Sequence, residues 1–146
     1  MPLYGQYNPR EVAQSWGGID LLAPMDGVFI SIEYAAEGSE LHVGPAGDVT
    51  FIINNNESGI IRTTLKAESP SNDLLSARFN AGRRVTLAGY GNYMLKDLNG
   101  LTVVEAAISR IQRMPNLEFG DGQRAIEWAF LCAQITAHAG SSVVGF

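Results

Sequence analysis

Charge is scarce in this chain. Lys, Arg, Asp and Glu make up 17% of the 146 residues, against roughly a quarter in an ordinary soluble domain, so part of the surface is expected to meet protein rather than water. Basic charge is scarcer still. Ten Lys and Arg stand against fifteen Asp and Glu, a net charge of −5 with a pI near 4.9. Gripping nucleic acid by its phosphates takes clustered Lys and Arg that displace counterions. The basic clusters here are only Arg83-Arg84 and Arg110 with Arg113, which read as solvated side chains or inter-subunit ion pairs.

Cysteine and histidine are nearly missing as well. Cys132 stands alone in "WAFLCAQ", which rules out an intramolecular disulfide and leaves no metal-binding set. In that apolar run it reads as a small hydrophobe. His42 and His138 are far apart, with no Ser or Cys elbow beside either, and Glu40 does not complete a metal site with His42. "GYGN" at 89–92 lacks the Lys-Ser/Thr pair of a phosphate loop. The acid–Gly pairs in "MDG" and "DGQ" lack the alternating oxygen ligands of a calcium loop. An Asp121–Glu127 carboxylate pair is no more than fifteen scattered acids produce by chance. The expectation is no enzyme, no cofactor and no metal. No segment reaches the roughly 20 consecutive apolar residues of a membrane span, and the start has no basic segment before an apolar one. Synthesis and folding in a cytoplasm are therefore expected.

What is present is β-patterned. Apolar residues make up 46% of the chain, enough for one core in one domain over 1–146 without staples. Residues 1–18 read as an arm carrying Tyr4, Tyr7 and Trp16, with a possible first strand in "EVAQSW". In "VFISIEYAAE", Val28, Ile30, Ile32 and Tyr34 alternate with Phe29, Ser31 and Glu33, the period of a strand with one packed face. Residues 37–58 read as a protruding loop or hairpin, with a turn at Gly44, Pro45 and Gly47 and a strand in "DVTFIINN". "IIRTTLKA" is another strand. "RRVTLAGYGNYMLKDLNG" reads as a strand, a glycine bend and a second strand.

One helix interrupts this pattern, over about 70–81. Ser69 is a suitable N-cap, Pro70 suits the first helical position, and Asp73 meets the positive end of the dipole. Leu75 and Phe79 stack one turn apart, and Gly82 offers a left-handed stop. With no nucleophile, ligand or phosphate cradle, the helix reads as a plug over one opening of a β-structure. The last segment stays open on local pattern. Ile126, Trp128, Phe130 and Cys132 fit a strand, while its length favours a helix.

The order "VGPAGDV", "NNESG", "SGIIRTTLKAESPSNDLLSA" and a closing "EWAFLCAQITAHAGS" resembles the inner tail tube proteins of contractile-tailed bacteriophages, related in fold to Hcp-like secretion-tube proteins. The resemblance runs from about Asn8 to Gly140, and "SPSNDLLS" at 69–76 is its most specific part. It implies a mainly β fold, a sandwich or barrel of two packed antiparallel sheets with one short flanking helix. It also tips 124–138 toward a long strand. Hexameric rings stacked into a virion tail tube would follow, with sheath, tape-measure, baseplate initiator and tail terminator proteins as partners, and DNA passing through the lumen without specific binding. An acidic, Lys-poor wall suits such passage. The assembly candidates are Tyr4, Tyr7, Trp16, Glu40, His42, Val43, Pro45, Asp48, Arg83 and Arg84. The resemblance does not separate a repeating subunit from an initiating or terminating relative. A tube subunit of a DNA-free contractile device, and a monomeric β-barrel that binds a small molecule near Trp16 or Trp128, are the alternatives.

Overall fold

The computed structural model describes residues 12–21, 30–97, 101–117 and 124–140. Tyr4 and Tyr7 lie outside them. The chain is mainly β, with two antiparallel sheets and one α-helix. β1 (Val12–Trp16) and β2 (Ile19–Asp20) form a hairpin across Gly17-Gly18, both at positive φ, +57° and +84°. Two such residues make the tight turn whose twist matches that of the strands it joins. β3 (Ile30–Tyr34), β4 (Ser39–Val43), β5 (Val49–Ile53) and β6 (Gly59–Lys66) precede α1 (Ser71–Arg84). A 3-10 turn (Thr86–Gly89), β7 (Tyr90–Asp97), β8 (Val103–Ile111), β9 (Ala125–Cys132) and β10 (Thr136–His138) follow.

The large sheet runs β2-β1-β7-β8-β9-β6-β3, with β10 also on β8, while among the described residues β4 and β5 pair only with each other. β1 and β6 are four strands apart, about 19 Å in a flat sheet at roughly 4.8 Å per strand. Yet Gln14 Nε2 on β1 donates to Thr63 Oγ1 on β6 at 2.9 Å. The sheet is therefore rolled, and its core lies inside the roll. Phe130 on β9 sits at its centre, 5.4 Å from the Trp16 ring and 5.7 Å from the Tyr93 ring. Each buried polar group there has a partner, as burial without one would be costly. Tyr93 Oη donates to Gln14 Oε1 at 2.8 Å, and Trp16 Nε1 donates to Ser109 Oγ at 2.8 Å.

α1 closes one end of the roll. Leu75 is buried and Phe79 packs against the core. Asn72 ties the helix to two strands: its Nδ2 donates to the Lys66 carbonyl at 2.9 Å, and its Oδ1 accepts from Trp128 Nε1 at 2.9 Å. Two arginines rivet the far side. Arg78 donates to the carbonyls of Gly17, Ala88 and Tyr90 and lies 5.0 Å from the Trp16 ring centroid. Arg110 donates to those of Gly82 and Thr86, both at 2.8 Å. Asn72→Ala would strand the Trp128 N–H and the Lys66 carbonyl in a dry setting. At about 1–3 kcal/mol for each lost partner, it should cost roughly 2–4 kcal/mol, read as a lower urea midpoint with an unchanged slope.

Two local expectations are corrected. The helix start is not one of them: Pro70 already has helical angles, one position before α1 as bounded, and Ser69 Oγ accepts the Ser71 N–H at 3.3 Å, the bond an N-cap serine makes when proline is the first helical residue. Gly82 is no left-handed stop. It lies inside the helix, where an added Cβ would sit 2.6 Å from the Gly89 Cα, so its role is close approach. Consequently Arg83-Arg84 belong to the helix and Thr86–Gly89 to a 3-10 turn, not to a strand.

The closing segment is strand, against its local helical lean. β9 pairs with β6 over eight residues, Trp128, Phe130 and Cys132 point into the core, and β10 continues on β8. Tertiary pairing overrides weak propensity here.

Candidate assembly surface

Among the described residues, the β4–β5 hairpin presents an uncovered face. The register pairs Ser39 with Ile53, Leu41 with Phe51 and Val43 with Val49 on one face, and Glu40 with Ile52 and His42 with Thr50 on the other. Directly opposed residues of antiparallel strands share a face, so the first face is apolar. Its five large side chains, Leu41, Val43, Val49, Phe51 and Ile53, are 53–72% exposed. At 44–48 the turn is tightened by Gly44 N–H to Asp48 O at 2.7 Å, with Gly47 at φ +86°. An isolated two-stranded hairpin is marginal in water, and exposed contiguous apolar surface of this kind marks an interaction site.

Where the hairpin joins the body, an open cleft of about 670 Å³ is lined by Tyr34, Ala35, Ala36, Glu37, Asn54 and Glu57. Neither tryptophan lines it. Trp16 and Trp128 are both buried in the core, so Trp16 offers no surface to an inter-ring contact and neither ring opens onto this cleft. Among the described residues, no three of His, Cys, Asp and Glu are grouped to hold a metal ion.

The other assembly candidates divide by face. Val43 lies on the apolar face, Glu40 and His42 on the opposite one, and Pro45 and Asp48 at or beside the turn. Arg83 and Arg84 are exposed in the last turn of α1, Arg83 lying 5.7 Å from the Phe79 ring. Sequence reasoning passed over Leu41, Val49, Phe51 and Ile53. The signal was there: Leu41/Val43 and Val49/Phe51/Ile53 both have period 2 on either side of a glycine turn.

Cys132 is 4% exposed, and burial pushes its thiol up to about 11. Burial, with a smaller contribution from the neighbouring Cys132, raises the Tyr93 phenol as well. Both groups hold their protons longer in the folded chain than in the unfolded one. The stability this implies is complete below the ordinary thiol pKa and is lost as pH rises toward 11. Urea midpoints should therefore hold steady from neutral pH to about 8.5 and fall above it. Cys132 should also resist alkylation until the chain unfolds.

No protein-family model matches the chain, and no curated protein matches it in sequence. Solved structures do. The cap that terminates the tube of the anti-feeding prophage (AFP) is similar at a TM-score of 0.64 and 8% identity, over 94% of each chain. A chain of the extended sheath-tube complex of PVC, an extracellular contractile injection system, gives 0.61 and 10% over 92% of each. The extended PVC sheath/tube terminator gives 0.64 and 10%, over 94% of this chain and all of that one. The fold is that of contractile-system tube and cap proteins. At such identity the likeness is one of fold, which the sequence resemblance had implied.

Proposed function

We propose that this protein is a ring-forming subunit of the tube of a contractile injection apparatus, with hexameric rings that stack inside a sheath. The observation that carries the reading is the uncovered apolar face of the β4–β5 hairpin, a surface that needs a second protein to cover it. The role is mechanical and non-enzymatic. A rigid tube, here of phage-tail type, is driven forward when the sheath contracts, and its acidic wall lets a tape-measure protein and then DNA slide past. The likeness to the AFP cap and the PVC terminator favours one second reading, a ring that ends the tube instead of repeating along it.

Electron microscopy of the purified chain across a concentration series, with light-scattering mass, tests this. Rings or long hollow tubes are expected. Rings that never stack would favour the cap. A monomer at every concentration, even with tail-base extract added as a template, would end both readings.

A further inference from the structure

A second uncovered apolar strip runs along α1. Leu74 and Val85 are more than half exposed, Ala77 and Ala81 between them are exposed, and Leu87 just beyond is 83% exposed. Residues 74, 77, 81 and 85 follow helical spacing, so they form one stripe. It lies opposite the inner face of Leu75, Phe79 and Gly82. The stripe and the hairpin face belong to different elements of the same chain.

We infer that the apolar face of the β4–β5 hairpin of one copy lies along the outward stripe of α1 of the next copy. The inference rests on the ring reading above and gives it a contact. Length agrees. The four steps along five strand residues span about 14 Å at roughly 3.4 Å each, and the eleven steps from Leu74 to Val85 span about 16 Å at roughly 1.5 Å each. Layering agrees, since a sheet face on a helix is an ordinary two-layer solution. Charge agrees too. The hairpin carries Glu37 at its root and Asp48 at its turn, whereas the stripe ends beside Arg83 and Arg84, all exposed. Opposite charges at the rim of an apolar contact favour it. A contact between two unlike patches is head-to-tail, so it propagates from copy to copy until a ring closes.

The test uses two exposed positions, so that folding, checked by circular dichroism, survives. Phe51→Asp spoils the hairpin face and Leu74→Asp the stripe. Each variant alone should be monomeric. An equal mixture should give particles of twice the protomer mass, because the intact hairpin of one meets the intact stripe of the other. Oxidising a chain with Phe51→Cys and Ala77→Cys should give a covalent ladder, and one with Phe51→Cys and Leu131→Cys should not. The inference is overturned, with the ring reading intact, if Leu74→Asp assembles like the parent, if the mixture stays monomeric, or if the ladder appears with Leu131→Cys instead. A parent chain that is monomeric even with the template overturns both together.

Discussion

Excising residues 39–53 and joining Gly38 to Asn54 through an Asn-Gly turn should leave a folded chain that no longer assembles at any concentration. The junction is already prepared, for the Asn54 N–H donates to the Gly38 carbonyl at 3.0 Å, so a two-residue turn can bridge the gap without moving β3 or β6. The body should hardly notice. Every hairpin strand residue is exposed, and β4 and β5 add no strand to the rolled sheet. Removing exposed apolar side chains should make the protein more soluble, with its urea midpoint changed by less than about 1 kcal/mol equivalent. The readouts are light-scattering mass and a thermal melt. A trimmed chain that still forms rings would place assembly elsewhere and remove the main support for the tube reading. A trimmed chain that fails to fold would show that the hairpin supports the roll, contrary to its exposure.

The split between body and hairpin also explains what could be read in advance. Strands with one buried face announce themselves, as β1, β6 and the Ile30/Ile32 alternation do, because half-burial writes period 2 into the sequence. β9 was harder. Glu127, Ala129 and Leu131 on its other face leave a segment equally acceptable to a helix, and only pairing with β6 and β8 decides it. The 83–89 region misled for a different reason. Val85, Thr86 and Leu87 look strand-like, yet their place is set by distant groups: Gly82 against Gly89, and the Arg110 guanidinium on the Gly82 and Thr86 carbonyls. Trp16 misled by type, since a tryptophan in a Gly-rich arm suggests an interface, whereas Ser109, 93 residues further along the chain but adjacent in space, gives its N–H a buried partner at 2.8 Å. The assembly face lay in plain view, but an apolar face pattern does not say whether the chain itself will cover it.

Phe130→Ala should be the most damaging single change to the fold. The ring is fully buried and joins three strands of the roll, from β9 to Trp16 on β1 and Tyr93 on β7. Truncating such a ring costs about 3–5 kcal/mol, out of the roughly 5–15 kcal/mol that holds a domain together. A fall in melting temperature of about 6–20 °C is expected, at some 2–4 °C per kcal/mol for a chain of this size. Phe130→Leu, which refills most of the volume, should recover the larger part. The telling measurement is assembly below the melt. The cavity opens inside the roll, whereas the hairpin face and the α1 stripe stand outside it, so Phe130→Ala that is still folded should form rings at the parent's concentration. Trimming the hairpin should do the reverse, abolishing rings at full stability. If Phe130→Ala instead lost rings while its circular dichroism stayed native, core and assembly surface would be coupled, and the hairpin would owe its position to the packing beneath it.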